Sequence, residues 1–97
     1  MLTGKQKGYL RSLAHHLDPI VQVGKGGVND NMIKQIDELL EKRELLKVSI
    51  LKNSTEEPSD AAQAFVEGTN AELVQIIGHT IVLYKESKEN KEIHLPR

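Results

Sequence analysis

The chain contains no cysteine and no tryptophan. Without cysteine there are no disulfides, zinc knuckles, thiol nucleophiles or paired-cysteine redox motifs, a composition that fits a reducing compartment. Only Tyr9, Phe65 and Tyr84 are aromatic. That excludes the stacking platform of an RRM and disfavours an OB-fold reader. No apolar run reaches the roughly 18 residues needed to span a bilayer. The opening MLTGKQKGYLRSL lacks the apolar stretch and small-residue cleavage site of a secretory signal. A cytoplasmic protein with no membrane contact is therefore expected. Charge of one sign is also missing: 13 Lys and Arg against 14 Asp and Glu leave a net of -1, which by itself does not suggest a polyanion binder.

What remains is an ordinary folded composition, 97 residues of which 38% are hydrophobic, enough for one domain with a single core. The near-zero net charge hides an asymmetry. Residues 1–27 carry Lys5, Lys7, Arg11 and Lys25 against Asp18 alone, with His15 and His16 beside them. Residues 28–74 carry five bases against ten acids, and residues 75–97 four against three. A basic end joined to an acidic middle predicts a footprint in which only one face meets phosphate.

Hydrophobic periodicity orders the elements. A first helix is expected from about Thr3 to Leu17, with Leu10, Leu13, Ala14 and Leu17 on one stripe and Lys5, Gly8, Arg11, Ser12, His15 and His16 on the other side, Lys7 at the flank. Asp18-Pro19 should end it. Ile20 to Val23 reads as a short strand leading into Gly24-Lys25-Gly26-Gly27. Asn29 or Asp30 then caps a second helix to about Arg43, packed through Met32, Ile33, Ile36, Leu39 and Leu40, with Lys34, Glu38 and Lys42 outward. Leu45 to Leu51 alternates as a half-buried strand. Pro58 suits the first turn of a third helix that Gly68 should stop. Leu73 to Ile77 and Ile81 to Tyr84 form a hairpin about Gly78, and the residues after Lys85 read as a loose charged tail. Residues 1–85 would thus be the domain and 86–97 the tail. The expected fold is α/β, a two-layer sandwich of three helices on a mixed four-stranded sheet, in the order αβαβαββ.

Among the constellations, the glycine loop is the most informative. Glycines between a strand and a helix N-terminus let backbone N–H groups approach a phosphate, and the helix dipole favours the anion. Lys25 adds a full charge, and the spacing is that of the G-x-x-G loop with which KH domains clamp a nucleic-acid backbone. A Walker loop is excluded because Pro19 stands where its first glycine should be and Gly26 where its Ser or Thr should be. A dinucleotide fingerprint fails because Asn29 occupies its third glycine position. His15, His16, His79 and His94 lack metal-ligand spacing. Asp37, Glu38, Glu41 and Glu44 read as a solvated helix face, not as catalytic carboxylates. No enzyme activity, cofactor or metal is expected.

Three separated segments then carry a resemblance. LTGKQKGYLRSLAHHLDPIVQVGKGGV, ELLKVSIL and GHTIVLYK, in that order, are similar to the CRM domain, named for chloroplast RNA splicing and ribosome maturation, in its single-domain bacterial YhbY-type form. The resemblance covers about residues 1–85. It implies an RNA-binding fold with a KH-like loop, related to the C-terminal domain of translation initiation factor 3. It further implies an association of the bacterial stand-alone members with precursors of the large ribosomal subunit. Carried to this chain, it marks Gly24, Lys25, Gly26 and Gly27 and the first helix with Lys5, Lys7 and Arg11. Lys85 stands where the family often has arginine, keeping the charge but not the bidentate geometry. The expected partner is ribosomal RNA, bound by a monomer. The alternative is a protein-interaction module acting through the acidic middle segment.

Overall fold

Thr3 sets the start of the first helix. In the computed structural model, which describes residues 2–97, its hydroxyl accepts from the Gln6 N–H at 3.1 Å while the Gln6 side chain accepts from the Thr3 N–H at 3.0 Å. This reciprocal capping box opens α1 (Gly4–Ala14). The helix ends one turn earlier than its apolar stripe suggests. Pro19 holds Asp18 out of the helical region, and the chain must leave at His15 and His16 for the Ile20 N–H to reach the Lys47 carbonyl at 3.1 Å and enter the sheet.

The remaining elements are β1 (Val21–Val23), α2 (Asp30–Arg43), β2 (Leu45–Ile50), α3 (Pro58–Thr69), β3 (Glu72–Ile77) and β4 (Thr80–Tyr84). Asn29 caps α2, its Oδ1 accepting from the Met32 N–H at 2.9 Å. Spatial strand order is β1-β2-β4-β3. β1 lies parallel to β2, while β4 pairs antiparallel with both β2 and β3. Both strand-helix-strand crossovers thus return the chain in the same direction. The hairpin, turning at Gly78 with φ +56°, lays β4 between β2 and β3.

Alternation along the strands divides the core. Leu46, Val48, Ile50, Ile81 and Leu83 pack with Ile36 and Leu40 of α2 and Ala61, Ala62 and Phe65 of α3. The intervening Leu45, Val82 and Tyr84 meet Leu10 and Ala14 of α1 on the opposite face. The α/β class, the element order and the mixed sheet are those expected. The layering is fuller than a simple two-layer sandwich, because α1 covers part of the face that α2 and α3 leave open.

Gly68 does not stop α3. It lies inside the helix, where a Cβ would stand 2.5 Å from Cγ2 of Ile33, so it is the point at which α3 approaches α2. The stop is Asn70, in the left-handed region at φ 62°, ψ 22°, a conformation asparagine tolerates. Gly68→Ala should therefore lower stability by roughly 1–2 kcal/mol, overpacking outweighing the gain in helix propensity. Urea unfolding tests this; a variant as stable as the parent would show that Ile33 yields freely.

Candidate nucleic-acid interface

The GKGG segment forms a tight turn. The Gly27 N–H donates back to the Gly24 carbonyl at 3.0 Å, which leaves Lys25 and Gly26 exposed at the tip. Only Gly27, at φ +69°, needs glycine for its backbone. A Cβ on Gly26 would meet nothing within 4 Å, and one on Gly24 only Leu51 at 3.9 Å. Bare backbone at Gly26 is thus not demanded by the fold, which leaves close approach of a partner as a reason for it.

The helix terminus behind the turn is less open than the sequence implies. Asn29 takes the Met32 N–H, Asp30 lies in the first turn of α2, and the Val28 N–H donates to Oε1 of Glu56 at 3.3 Å. That same oxygen would lie 2.8 Å from a Cβ at Gly27. A carboxylate from the loop between β2 and α3 therefore sits against the glycine turn. Sequence reading missed this contact, since 28 residues separate the partners.

On the other face of the sheet, α1 and the strands enclose a groove. Arg11, Ser12 and His15 line its helical side, and Lys47, Gln75, Ile77 and Val82 its sheet side. Arg11 and His15 are exposed and Lys47 half-buried, and no ion pair engages any of the three among the described residues. Ile77 is 57% exposed, the most of any large apolar side chain among the described residues. Lys47 was not among the residues singled out from sequence, although its alternation with Leu46 and Val48 already placed it on the strand's other face. Three residues along β2 from Lys47 lies Ile50, paired with Val23, so about 10 Å of strand separates the groove from the glycine turn. By strand alternation the side chains between them on this face are Gln22 and Ser49, with no carboxylate among them.

Not every expected residue joins this surface. Lys5 is exposed and Lys7 half-buried in the first turns of α1, and His16 lies beyond its end; none of the three lines the groove. The His16 ring packs edge-on against His15 at 5.4 Å between centroids. Lys85 lies elsewhere altogether. Its N–H bonds the Glu44 carbonyl, at the opposite end of β2 and about 23 Å of strand from the glycine turn, and its ammonium pairs with Asp37 at 3.0 Å. The fold does not bring Lys85 onto one surface with the loop.

The acidic helix face is likewise not simply solvated. Glu44, 1% exposed, accepts N–H bonds from Ser87, Glu92 and Ile93 at 2.7–2.8 Å. Glu41 accepts from the Ser87 hydroxyl and from the Lys88 and Glu89 N–H groups. Burial pushes the Glu44 carboxyl up, but its three backbone donors outweigh this and hold it below the ordinary range. The Ser87 hydroxyl, followed by the Lys88 and Glu89 amides, lowers Glu41 to about 2. The segment after β4 is therefore fastened rather than loose, and Ile93 and Leu95 complete the core under α1. Asp37, Glu41, Glu44 and Glu56 all have partners within the chain, which reduces the acidic surface open to another protein.

Among the described residues no cluster of histidine and carboxylate side chains is arranged to hold a metal, and no helix is long and apolar enough to cross a membrane. Known proteins supply the remaining comparison. The chain is 71% identical over 96 residues to the probable RNA-binding protein YqeI of Bacillus subtilis, covering 99% of this chain and 100% of that one. It is 42% identical to an RNA-binding protein of Haemophilus influenzae, over 99% and 96% of the two chains. The solution structure of SAV1595 from Staphylococcus aureus, 64% identical, superposes with a TM-score of 0.81 and covers 99% of this chain and 100% of its own. The CRS1/YhbY (CRM) domain profile matches residues 2–85, and with relatives this similar along their whole length the chain belongs to the CRS1/YhbY (CRM) domain family.

Proposed function

We propose that this protein binds RNA through the face formed by α1, the uncovered part of the sheet and the glycine turn, and that its target is ribosomal RNA in precursors of the large subunit. The observation that carries the RNA reading is the groove lined by Arg11, His15 and Lys47, in which the positive charges of Arg11 and Lys47 have no ion-pair partner among the described residues. It is joined to Lys25 by a stretch of sheet free of carboxylates. The names of the relatives agree with this, and the choice of ribosomal RNA follows from the family resemblance.

Phosphates would lie along Arg11, Lys47 and Lys25, with the exposed His15 imidazole beside them as a hydrogen-bonding group. Exposed Ile77 offers an apolar surface to an unstacked base, with the Gln75 amide beside it for hydrogen bonding. Contact is then mainly to backbone, and affinity should depend steeply on salt. Engagement of about three to five phosphates gives a slope of log K against log salt of roughly -2 to -4.5. Fluorescence titration of a labelled ribosomal RNA fragment at several salt concentrations measures it, and a flat profile would remove the reading.

A further inference from the structure

We infer that Glu56 is an internal stand-in for a phosphate: its carboxylate occupies the anion position at the glycine turn, and RNA must displace it to seat there, so this residue sets the affinity. The inference rests on the RNA-binding reading and adds a built-in competitor to it.

Three observations support the competition. First, the carboxylate is where a backbone phosphate would go, bonded to the Val28 N–H and close against bare Gly27, in front of the positive end of the α2 dipole. Second, the contact is weak. At 3.3 Å it lies beyond the usual range of about 2.7–3.2 Å for N–H donors, and well beyond that of charge-assisted bonds. Third, the neighbouring Lys25 forms no ion pair with Glu56 or with any other described residue, so the loop's strongest attraction for phosphate is unsatisfied while its amide is covered. The residue is carried on a compact turn, where the Ser54 N–H bonds the Leu51 carbonyl and the Glu56 N–H bonds the Ser54 hydroxyl. Rotation of the side chain alone would clear the site without unfolding that turn.

When a binding-competent state is only partly populated, apparent affinity falls by that fraction. Removing the competitor should restore it. Glu56→Gln keeps the shape and the packing but removes the charge, and Glu56→Ala empties the position. Glu57→Gln is the control, since Glu57 is exposed and its side chain makes no capping bond. The probe is a labelled single-stranded RNA of mixed sequence, titrated at fixed salt, with thermal unfolding run in parallel to confirm that each variant is folded. The expected result is tighter binding by about three- to tenfold for both Glu56 variants and less than about twofold for Glu57→Gln, the difference between clearing a site and changing bulk charge. Glu56 variants that bind as the parent does, or more weakly, overturn the inference, as does an equal gain from Glu57→Gln. Failure of the parent itself to bind RNA would instead bring down the reading on which the inference stands. Inorganic phosphate gives an independent readout: it should shift the Val28 amide NMR signal in Glu56→Ala more than in the parent, and equal shifts also count against it.

Discussion

Glu44→Ala should cost about 2–4 kcal/mol of folding stability and release the segment after β4. Three N–H groups, from Ser87, Glu92 and Ile93, converge on this carboxylate. A hydrogen bond to a charged group contributes about 1.5–3 kcal/mol, and a donor left buried without a partner costs about 1–3 kcal/mol. The Ser87 backbone is the one that water reaches least, since that residue is only 4% exposed. Part of the effect has a different origin, because Glu44 joins α2 to β2 with φ at 63°, a strained value for a residue with a side chain. Glu44→Gly relieves that strain, so it should be less damaging than alanine by about 1 kcal/mol yet still below the parent. Urea unfolding separates the three proteins, and hydrogen exchange at residues 87–93 reports release of the tail. A glycine variant more stable than the parent would mean that strain outweighs the carboxylate's bonds.

The pH dependence follows with a definite sign. Glu41 and Glu44 both titrate lower in the folded protein than in the unfolded chain, so the folded state binds fewer protons over that range. Their contribution is complete above the unfolded value of about 4.5 and is lost as pH falls toward the folded value of about 2 for Glu41. Acid should therefore loosen the tail before it melts the sheet.

The tail also shows where sequence reading stops. Local signals placed α1, α2, the hairpin and the glycine turn, because capping residues, stripes and turn glycines act within a few positions of one another. Glu44 and Glu41 act on residues more than forty positions away, and no periodicity records such a pairing. A glycine after Arg43 would have announced the sharp connection. A glutamate there conceals it, since the carboxylate is kept for its distant donors at the expense of backbone ease. Gly68 misled for a related reason: glycine is read as a stop when it follows an apolar stripe, while here close approach of Ile33 requires it. At the candidate interface, Arg11, His15 and the turn were legible as a basic helix and a bare loop. Glu56 and the lone position of Lys85 were not, because both depend on which end of the sheet a residue reaches.

Reversing Arg11 and Lys47 together, as Arg11→Glu with Lys47→Glu, should weaken RNA binding by about 10- to 100-fold at about 0.1 M salt and reduce the magnitude of the salt slope by about two. The two side chains approach the groove from different layers, one from α1 and one from β2, so each is expected to touch phosphate independently. Among the described residues neither is held by a carboxylate, and the double variant breaks no ion pair there. Its folding stability should therefore fall by no more than about 1–2 kcal/mol, most of it from the half-buried Lys47. Lys34→Glu is the matched control. It changes charge by the same amount per residue but lies exposed on α2, a helix packed on the opposite side of the sheet. If binding depended only on net charge, Lys34→Glu would have half the effect of the double variant on a logarithmic scale. A one-sided face instead predicts that Lys34→Glu changes affinity by less than about twofold, because charges separated by more than a Debye length of about 10 Å are largely screened. Equal sensitivity per charge on both sides of the sheet would show that the groove has no special part in RNA binding.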